Sequence, residues 1–275
     1  MTGDNGRVDL HLHSTASDGG LPPAQVVERA RAAGIQVIAL TDHDTTAGVD
    51  AAAAAAHGQP YVIPAIEISA AHDGRDLHIL GYFIDTGTPA LIDYLGRAGT
   101  ARVDRMREMI ERLASLDLAV EFDAVLAEAG PDAASLARPH LARAMHAAGH
   151  VDSISEAFDR FIGDEGPAYV AARLMDVPAA IDLVHQADGI AVWAHPPPAL
   201  LQPLLPSFVE AGLDGLECYR PRLPDHELQR LLREVRRHRL VATGGSDWHG
   251  DWQGDLGSFR LHRHQVQEFL ELGGV

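Results

Sequence analysis

Val8-Asp9-Leu10-His11-Leu12-His13 sets two imidazoles two residues apart at the end of an apolar, β-branched stretch. On a strand, side chains at i and i+2 share a face, so His11 and His13 project into the same space. Two neutral imidazoles converging there can hold a divalent cation. Two histidines on a solvated strand are the alternative, and the rest of the chain decides between them.

Outward from this strand, helix-like and strand-like runs alternate through residue 85. Residues 24–33 read as a helix closed by Gly34, 36–41 as a strand, and an Ala-rich helix stops at His57-Gly58. Residues 61–68 and 76–83 are two further strands. From about 88 to 163 the pattern changes to helices without strands, and after Gly166-Pro167 the alternation resumes. About seven βα units imply a parallel sheet, with a closed or distorted βα barrel ahead of an open doubly wound sheet. The fold class is therefore α/β, with residues 1–87 and 164–275 forming the barrel and 88–163 an inserted helical subdomain. A lid over a site is one use of such an insertion, and plain structural padding is the other.

Composition narrows the classes of function. At 275 residues, 46% hydrophobic and 22% charged, the chain has ample material for a sizeable core. A single cysteine, Cys218, excludes a disulfide framework and thiolate-rich metal sites, so any metal is held by N and O ligands. The net charge of −17 argues against a broad phosphate-gripping surface for nucleic acid, but bound cations would permit a small anionic substrate. No apolar run approaches the ~20 residues that span a bilayer. The opening, Met1 to Arg7, lacks the basic and apolar regions of a signal peptide, so a cytoplasmic location is expected.

Residues of metal-binding type cluster where the strands end. His11 and His13 end the first, with Asp18 in the loop beyond; Thr41-Asp42-His43-Asp44 ends the second and Glu67 the third. His78 lies on the fourth strand. Ala194-His195-Pro196 ends a later one, and Ser246-Asp247-Trp248-His249 follows the last. In βα barrels the carboxyl ends of the strands gather at one face, so these groups are expected to converge. Leaving that many carboxylates and imidazoles together without cations is costly.

The pattern resembles the PHP (polymerase and histidinol phosphatase) family of metal-dependent phosphoesterases. It is most similar to the stand-alone bacterial group acting on 3′,5′-nucleoside bisphosphates, some of whose members trim RNA 5′ ends. The likeness runs nearly end to end, through His11-x-His13, Asp18, Thr41–Asp44, Glu67, His78, His195 and Asp247-x-His249. It also includes Arg138-Pro139-His140 and the run Gly166–Val170. One departure is Pro197-Pro198, where that group often has Gly-Arg after the His-Pro.

The resemblance implies a distorted (β/α)7 barrel holding two or three divalent ions. His11, His13, Glu67 and Asp247 would bind one; Glu67 would bridge to a second, also held by His78 and His195. Asp18, His43 and His249 would bind a third. Asp42 and Asp44 are read as orienting imidazoles, with a strand-end cap as the alternative for either. Mn²⁺ leads, with Fe²⁺ or Zn²⁺ as alternatives. Glu67, Asp247 and His195 are assigned to catalysis, through a hydroxide bridging two ions. Arg138 and His140 are read as substrate contacts, the alternative being that Arg138 begins a helix and pairs with a carboxylate of the insertion. Arg220, Arg222 and His226 have weaker claims.

The leading function is removal of the 3′-phosphate from nucleoside 3′,5′-bisphosphates. A 5′→3′ exoribonuclease on short RNA is the close alternative, and a non-catalytic, polymerase-associated metal-binding module is the alternative of another class. The expected partner is a small phosphorylated nucleotide, with no membrane and no obligate protein.

Overall fold

The computed structural model describes residues 6–171 and 175–275; the first five residues of the opening stretch read for a signal peptide lie outside them. Among the described residues no helix is long and apolar enough to cross a membrane.

The barrel starts with β1 (Arg7–Leu12), α1 (Pro23–Ala32), β2 (Ile35–Leu40), α2 (Val49–Ala56) and β3 (Tyr61–His72). Proline at the first turn of α1 is pre-set for helical φ. β1, β2 and β3 pair in parallel, as the alternation predicts. The next strand does not. β4 (Arg75–Tyr82) runs antiparallel to β3, and the all-parallel expectation fails there. The cause is local: Asp73 and Gly74, at φ 49° and 76°, form the two-residue turn that favours a hairpin over a crossover.

A long helix follows, α3 (Pro89–Ala114), then α4 (Phe122–Ala129), α5 (Arg138–Ala147) and α6 (Ile154–Ala157), which runs on into a π-helical turn at Phe158–Ile162. α3 is shared between two cores. Leu91, Tyr94 and Ala98 pack on the barrel side, whereas Met106, Met109 and Leu113 join a separate apolar cluster that reaches Val170.

The chain then returns through β5 (Met175–Asp176), α7 (Val177–Gln186), β6 (Ile190–Trp193), α8 (Pro198–Glu210), β7 (Gly215–Tyr219), α9 (Asp225–His238) and β8 (Val241–Gly244). Two short elements complete it, β9 (Leu261–His262) and α10 (Gln267–Leu272). The strand order is β8-β7-β6-β4-β3-β2-β1-β9, with β5 beside β3. β4 is antiparallel to β6 as well, and β6, β7 and β8 are parallel. The ring closes where Leu12 bridges Trp248, with the Asp247 N–H donating to the His11 carbonyl and the His13 N–H to the Trp248 carbonyl, both at 3.0 Å. Gly245 permits this seam, since a Cβ there would lie 2.4 Å from the His11 backbone nitrogen. The result is a distorted (β/α)7 barrel, with Phe269 and Leu270 of α10 packed beneath it on Val8, Leu10 and Tyr82.

Candidate metal centre

Strand alternation aims the site. On β1, Asp9, His11 and His13 share one face; on β3, Ile63, Ala65 and Glu67 do; on β4, His78, Leu80 and Tyr82 do. Because Ser69 lies opposite His78 in the hairpin and Glu67 opposite Leu80, Glu67 and His78 are diagonal neighbours within side-chain reach.

Glu67 is the hub. It is fully buried, and its two oxygens face five imidazoles. Oε2 lies 3.2 Å from His11 Nε2, His13 Nε2 and His43 Nδ1 alike. Oε1 lies 2.8 Å from His78 Nδ1 and 3.0 Å from His195 Nε2. Asp247 Oδ1 sits 3.3 Å from both His11 Nε2 and His13 Nε2. Asp18 is 3.5 Å from His249 Nε2 and 4.0 Å from His43 Nε2. All nine residues named for ligation therefore meet at one rim.

Their potential ligand atoms fall into three sets, each within 4.8 Å: His11, His13, Glu67 and Asp247; His13, Asp18, His43 and His249; and His43, Glu67 and His78. His195 joins the last through Glu67 and through His78 Nδ1, 3.3 Å away. His13, His43 and Glu67 each fall in two sets.

The electrostatics are those of a site built for cations. Burial pushes the Glu67 and Asp18 carboxyls up, but the surrounding imidazoles outweigh it and hold both well below the carboxylate range. Asp247 is likewise held low against burial, by His11 first. Burial opposes charge on His13 too, yet Asp247, Glu67 and Asp18 hold it up at about 10. His43 goes the other way, driven by burial to about 3. Both ring nitrogens of His13 and Nδ1 of His43 are buried without an aligned hydrogen-bond partner. Orphaned, converging nitrogens beside ionised carboxylates are a donor set that fits divalent ions of N/O preference. The cluster is able to bind such metal ions.

Groups that no strand-end pattern revealed hold this rim in place. Glu217, fully buried in the middle of β7, takes His11 Nδ1 at 2.9 Å with one oxygen and accepts the His195 N–H at 2.7 Å with the other. Asp9 accepts the Ser246 N–H at 2.8 Å, and burial raises its carboxyl to about 6. Asp42 and Asp44 differ from their expected use, since neither hydrogen-bonds an imidazole. Asp42 accepts from Ser14 and Ser17 and so shapes the loop carrying Asp18. Asp44 is clasped by Tyr94, Arg102 and the Ser69 N–H.

A cavity of about 170 Å³ adjoins the cluster, its lining including Asp18, His43 and His78 together with Arg102, Arg105 and Arg138. Arg138 starts α5 and pairs with Asp164 at 2.7 Å, its guanidinium lying over Phe158 and Tyr169. It reaches the cavity from within that pair. His140 does not line the cavity; it is buried, and its Nδ1 accepts the Ala137 N–H at 3.1 Å as a cap on α5. Burial pushes its imidazolium down to about 4. Arg102 and Arg105 escaped the sequence reading because a helical run rich in Arg and Glu does not disclose which of its cations turn inward. His226 is exposed, 3.6 Å from its neighbour Glu227, and does not line this cavity.

Comparison with known proteins follows the same lines. The family model of the PHP domain matches residues 9–116. A 5′-3′ exoribonuclease of Haemophilus influenzae is 35% identical over 249 residues, covering 88% of this chain and 90% of the relative. A 3′,5′-nucleoside bisphosphate phosphatase of Chromobacterium violaceum is 32% identical over 255 residues, covering 90% and 88%. A solved structure of a candidate metal-dependent phosphoesterase from Bifidobacterium adolescentis superposes with a TM-score of 0.87 at 34% identity, covering 98% of this chain and 96% of the other.

Proposed function

The chain belongs to the PHP (polymerase and histidinol phosphatase) family of metal-dependent phosphoesterases and is a phosphate-ester hydrolase; from that premise we propose that it removes the 3′-phosphate of nucleoside 3′,5′-bisphosphates. The observation that carries the reading is the 170 Å³ cavity, which shares walls with the cluster and is lined by three guanidiniums. Planar forks match phosphate oxygens, and their carboxylate partners hold them in place before substrate arrives. A bisphosphate can set one phosphate there and present the other at the cluster.

His11, His13, Glu67 and Asp247 would hold one ion in this reading. Glu67, His78 and His195 would hold a second, and Asp18, His43 and His249 a third, with Mn²⁺ as the leading choice. Bound ions would supply Lewis acidity, acidifying a coordinated water and neutralising phosphoryl oxygens. Glu67, Asp247 and His195 would take the catalytic role at that centre. Arg138 contacts the second phosphate, and His140 acts on it indirectly by fixing the first turn of α5. Residues 88–163 serve as the substrate-side subdomain. The unpaired, buried Cys218 thiol suits a cytoplasmic setting.

The test compares 3′-phosphoadenosine 5′-phosphate with an aryl phosphate on Mn²⁺-loaded protein. One good charge-assisted contact of ~1.4 kcal/mol favours the bisphosphate about tenfold in kcat/KM. Arg138→Ala should remove most of that preference by raising KM for the bisphosphate alone. Equal effects on both substrates would reduce Arg138 to a helix-start residue, and no phosphate release from either would overturn the assignment.

A further inference from the structure

Asp18 sits on no regular element. It closes a tight turn between β1 and α1, and Ala16, Ser17 and Asp18 are all buried. Buried backbone groups of an irregular segment need partners, and here the turn is held from two sides. The barrel supplies one through Asp42, which accepts from the Ser14 and Ser17 hydroxyls at 2.7 and 2.6 Å. The helical stretch between β4 and β5 supplies the other. The Ala134 and Ser135 N–H groups both donate to the Ala16 carbonyl, at 2.9 and 3.1 Å. The Ser17 carbonyl accepts a hydrogen bond from the His140 imidazole. The tautomer names the donor atom: Nδ1 accepts the Ala137 N–H at 3.1 Å, so the neutral ring carries its proton on Nε2.

This second clamp is anchored away from the turn. Leu136 packs into the apolar cluster that also takes Leu141 and Met145 of α5, and its carbonyl accepts from Arg102 Nη1 at 2.8 Å. What it clamps bears on one set of ligand atoms. Asp18 is the only carboxylate among His13, Asp18, His43 and His249. Its oxygens stand 3.5 Å from His249 Nε2 and 4.0 Å from His43 Nε2, so a shift of the turn would take away the one anionic donor of that set. Groups that hold a ligand in place govern metal affinity nearly as much as the ligand itself.

We propose that His140 is a positioning residue for this set: through the Ser17 carbonyl it holds the Asp18 carboxylate towards His43 and His249, so that the third ion binds tightly only when the first turn of α5 is docked on the turn after β1. His140 touches neither substrate nor ion in this role. Its two nitrogens divide the work, Nδ1 capping its own helix and Nε2 reaching across to the ligand's turn. The inference rests on the ion assignment proposed above. It gives α5 a part in building the centre, in addition to presenting Arg138 to substrate.

The experiment titrates Mn²⁺ into metal-stripped protein by calorimetry, with elemental analysis of the dialysed complex to count ions. Wild-type protein should take up one ion for each of the three sets. In His140→Asn the amide oxygen stands where Nδ1 stands and keeps the cap, but the side chain falls short of Ser17. One ion should then weaken about 10- to 100-fold while the other two bind as in wild type. His140→Gln, one carbon longer, can accept the Ala137 N–H and still reach Ser17, and should recover most of the loss. The urea midpoint of metal-free His140→Asn should stay near that of wild type, which separates positioning from folding. In turnover of 3′-phosphoadenosine 5′-phosphate, the Mn²⁺ concentration for half-maximal rate should rise in the same proportion. Wild-type affinity for all three ions in His140→Asn overturns the proposal, as does a loss spread evenly over the three or no recovery in His140→Gln. Wild-type protein that binds fewer than three ions overturns the ion assignment and this proposal with it. Wild-type protein that binds all three and releases no phosphate overturns the phosphatase reading alone.

Discussion

Glu217 is a carboxylate in the middle of an apolar strand, and its two oxygens fix two things at once: the His11 ring and the turn at His195. That turn needs fixing. His195, Asp247 and Asp44 have φ of 29°, 53° and 50°, each a conformation costing of order 1–3 kcal/mol for a non-glycine residue. In each the backbone N–H is held, by Glu217, by the His11 carbonyl and by the Glu67 carbonyl respectively. Glu217→Ala should therefore weaken metal binding about 10- to 100-fold, with Glu217→Gln intermediate, when measured by competition against a chelator. Wild-type affinity in the alanine variant would show that the ring and the turn hold themselves. The ligating types and their spacing were readable along the chain because strand ends expose them. Glu217 was harder to see, since a lone acid in Gly-Leu-Glu-Cys-Tyr announces only that it is buried. Asp9 stood in the decisive stretch itself, on the same face as His11 and His13, and period-2 alternation alone would have found it.

α3 and the β3–β4 hairpin depend on each other. Arg102 of α3 donates through Nε to Asp44 at 2.7 Å, and through Nη2 to Ser69 Oγ at 2.8 Å. Its Nη1 bonds the Leu136 carbonyl at 2.8 Å, inside the insertion, and Tyr94 donates to Asp44 from the same helix. This ties α3 and the chain at Leu136 to the residue after His43. Removing one partner of a buried ion pair strands the other, so Arg102→Ala should cost roughly 3–5 kcal/mol in urea unfolding. Combination with Tyr94→Phe should depart from additivity by about 0.5–3 kcal/mol, because both act on one carboxylate. A loss below ~1 kcal/mol in Arg102→Ala would mean the clasp contributes little. Helices and strands were mostly legible from periodicity and from Gly and Pro punctuation. Strand direction at β4 was not read, although Asp73-Gly74 carried the signal, because the surrounding βα rhythm suggested another crossover.

Across the whole molecule, seven βα units and the meeting of their strand-end imidazoles and carboxylates were legible, since both follow from local pattern. The seam between Leu12 and Trp248 was not, because it joins residues 236 positions apart and no local pattern reports such a contact. Charge acts at this scale too. Burial disfavours the His11 and His13 imidazolium forms, but neighbouring carboxylates hold His11 well above its ordinary value and His13 at about 10. In the metal-free protein both rings carry protons at neutral pH, and a metal ion must displace them. Apparent metal affinity should therefore rise with pH through the neutral range, and metal binding should release protons. Titration calorimetry in two buffers of different ionisation enthalpy counts them; no release would contradict the charge state drawn here. The seam adds a further consequence. The stretch from His11 to His13 is both an edge by which the ring fastens and a rail that carries ligands. Breathing at that join would leak a cation, and a cation seated there would act as a rivet across it, so occupancy and barrel integrity are expected to form a single equilibrium.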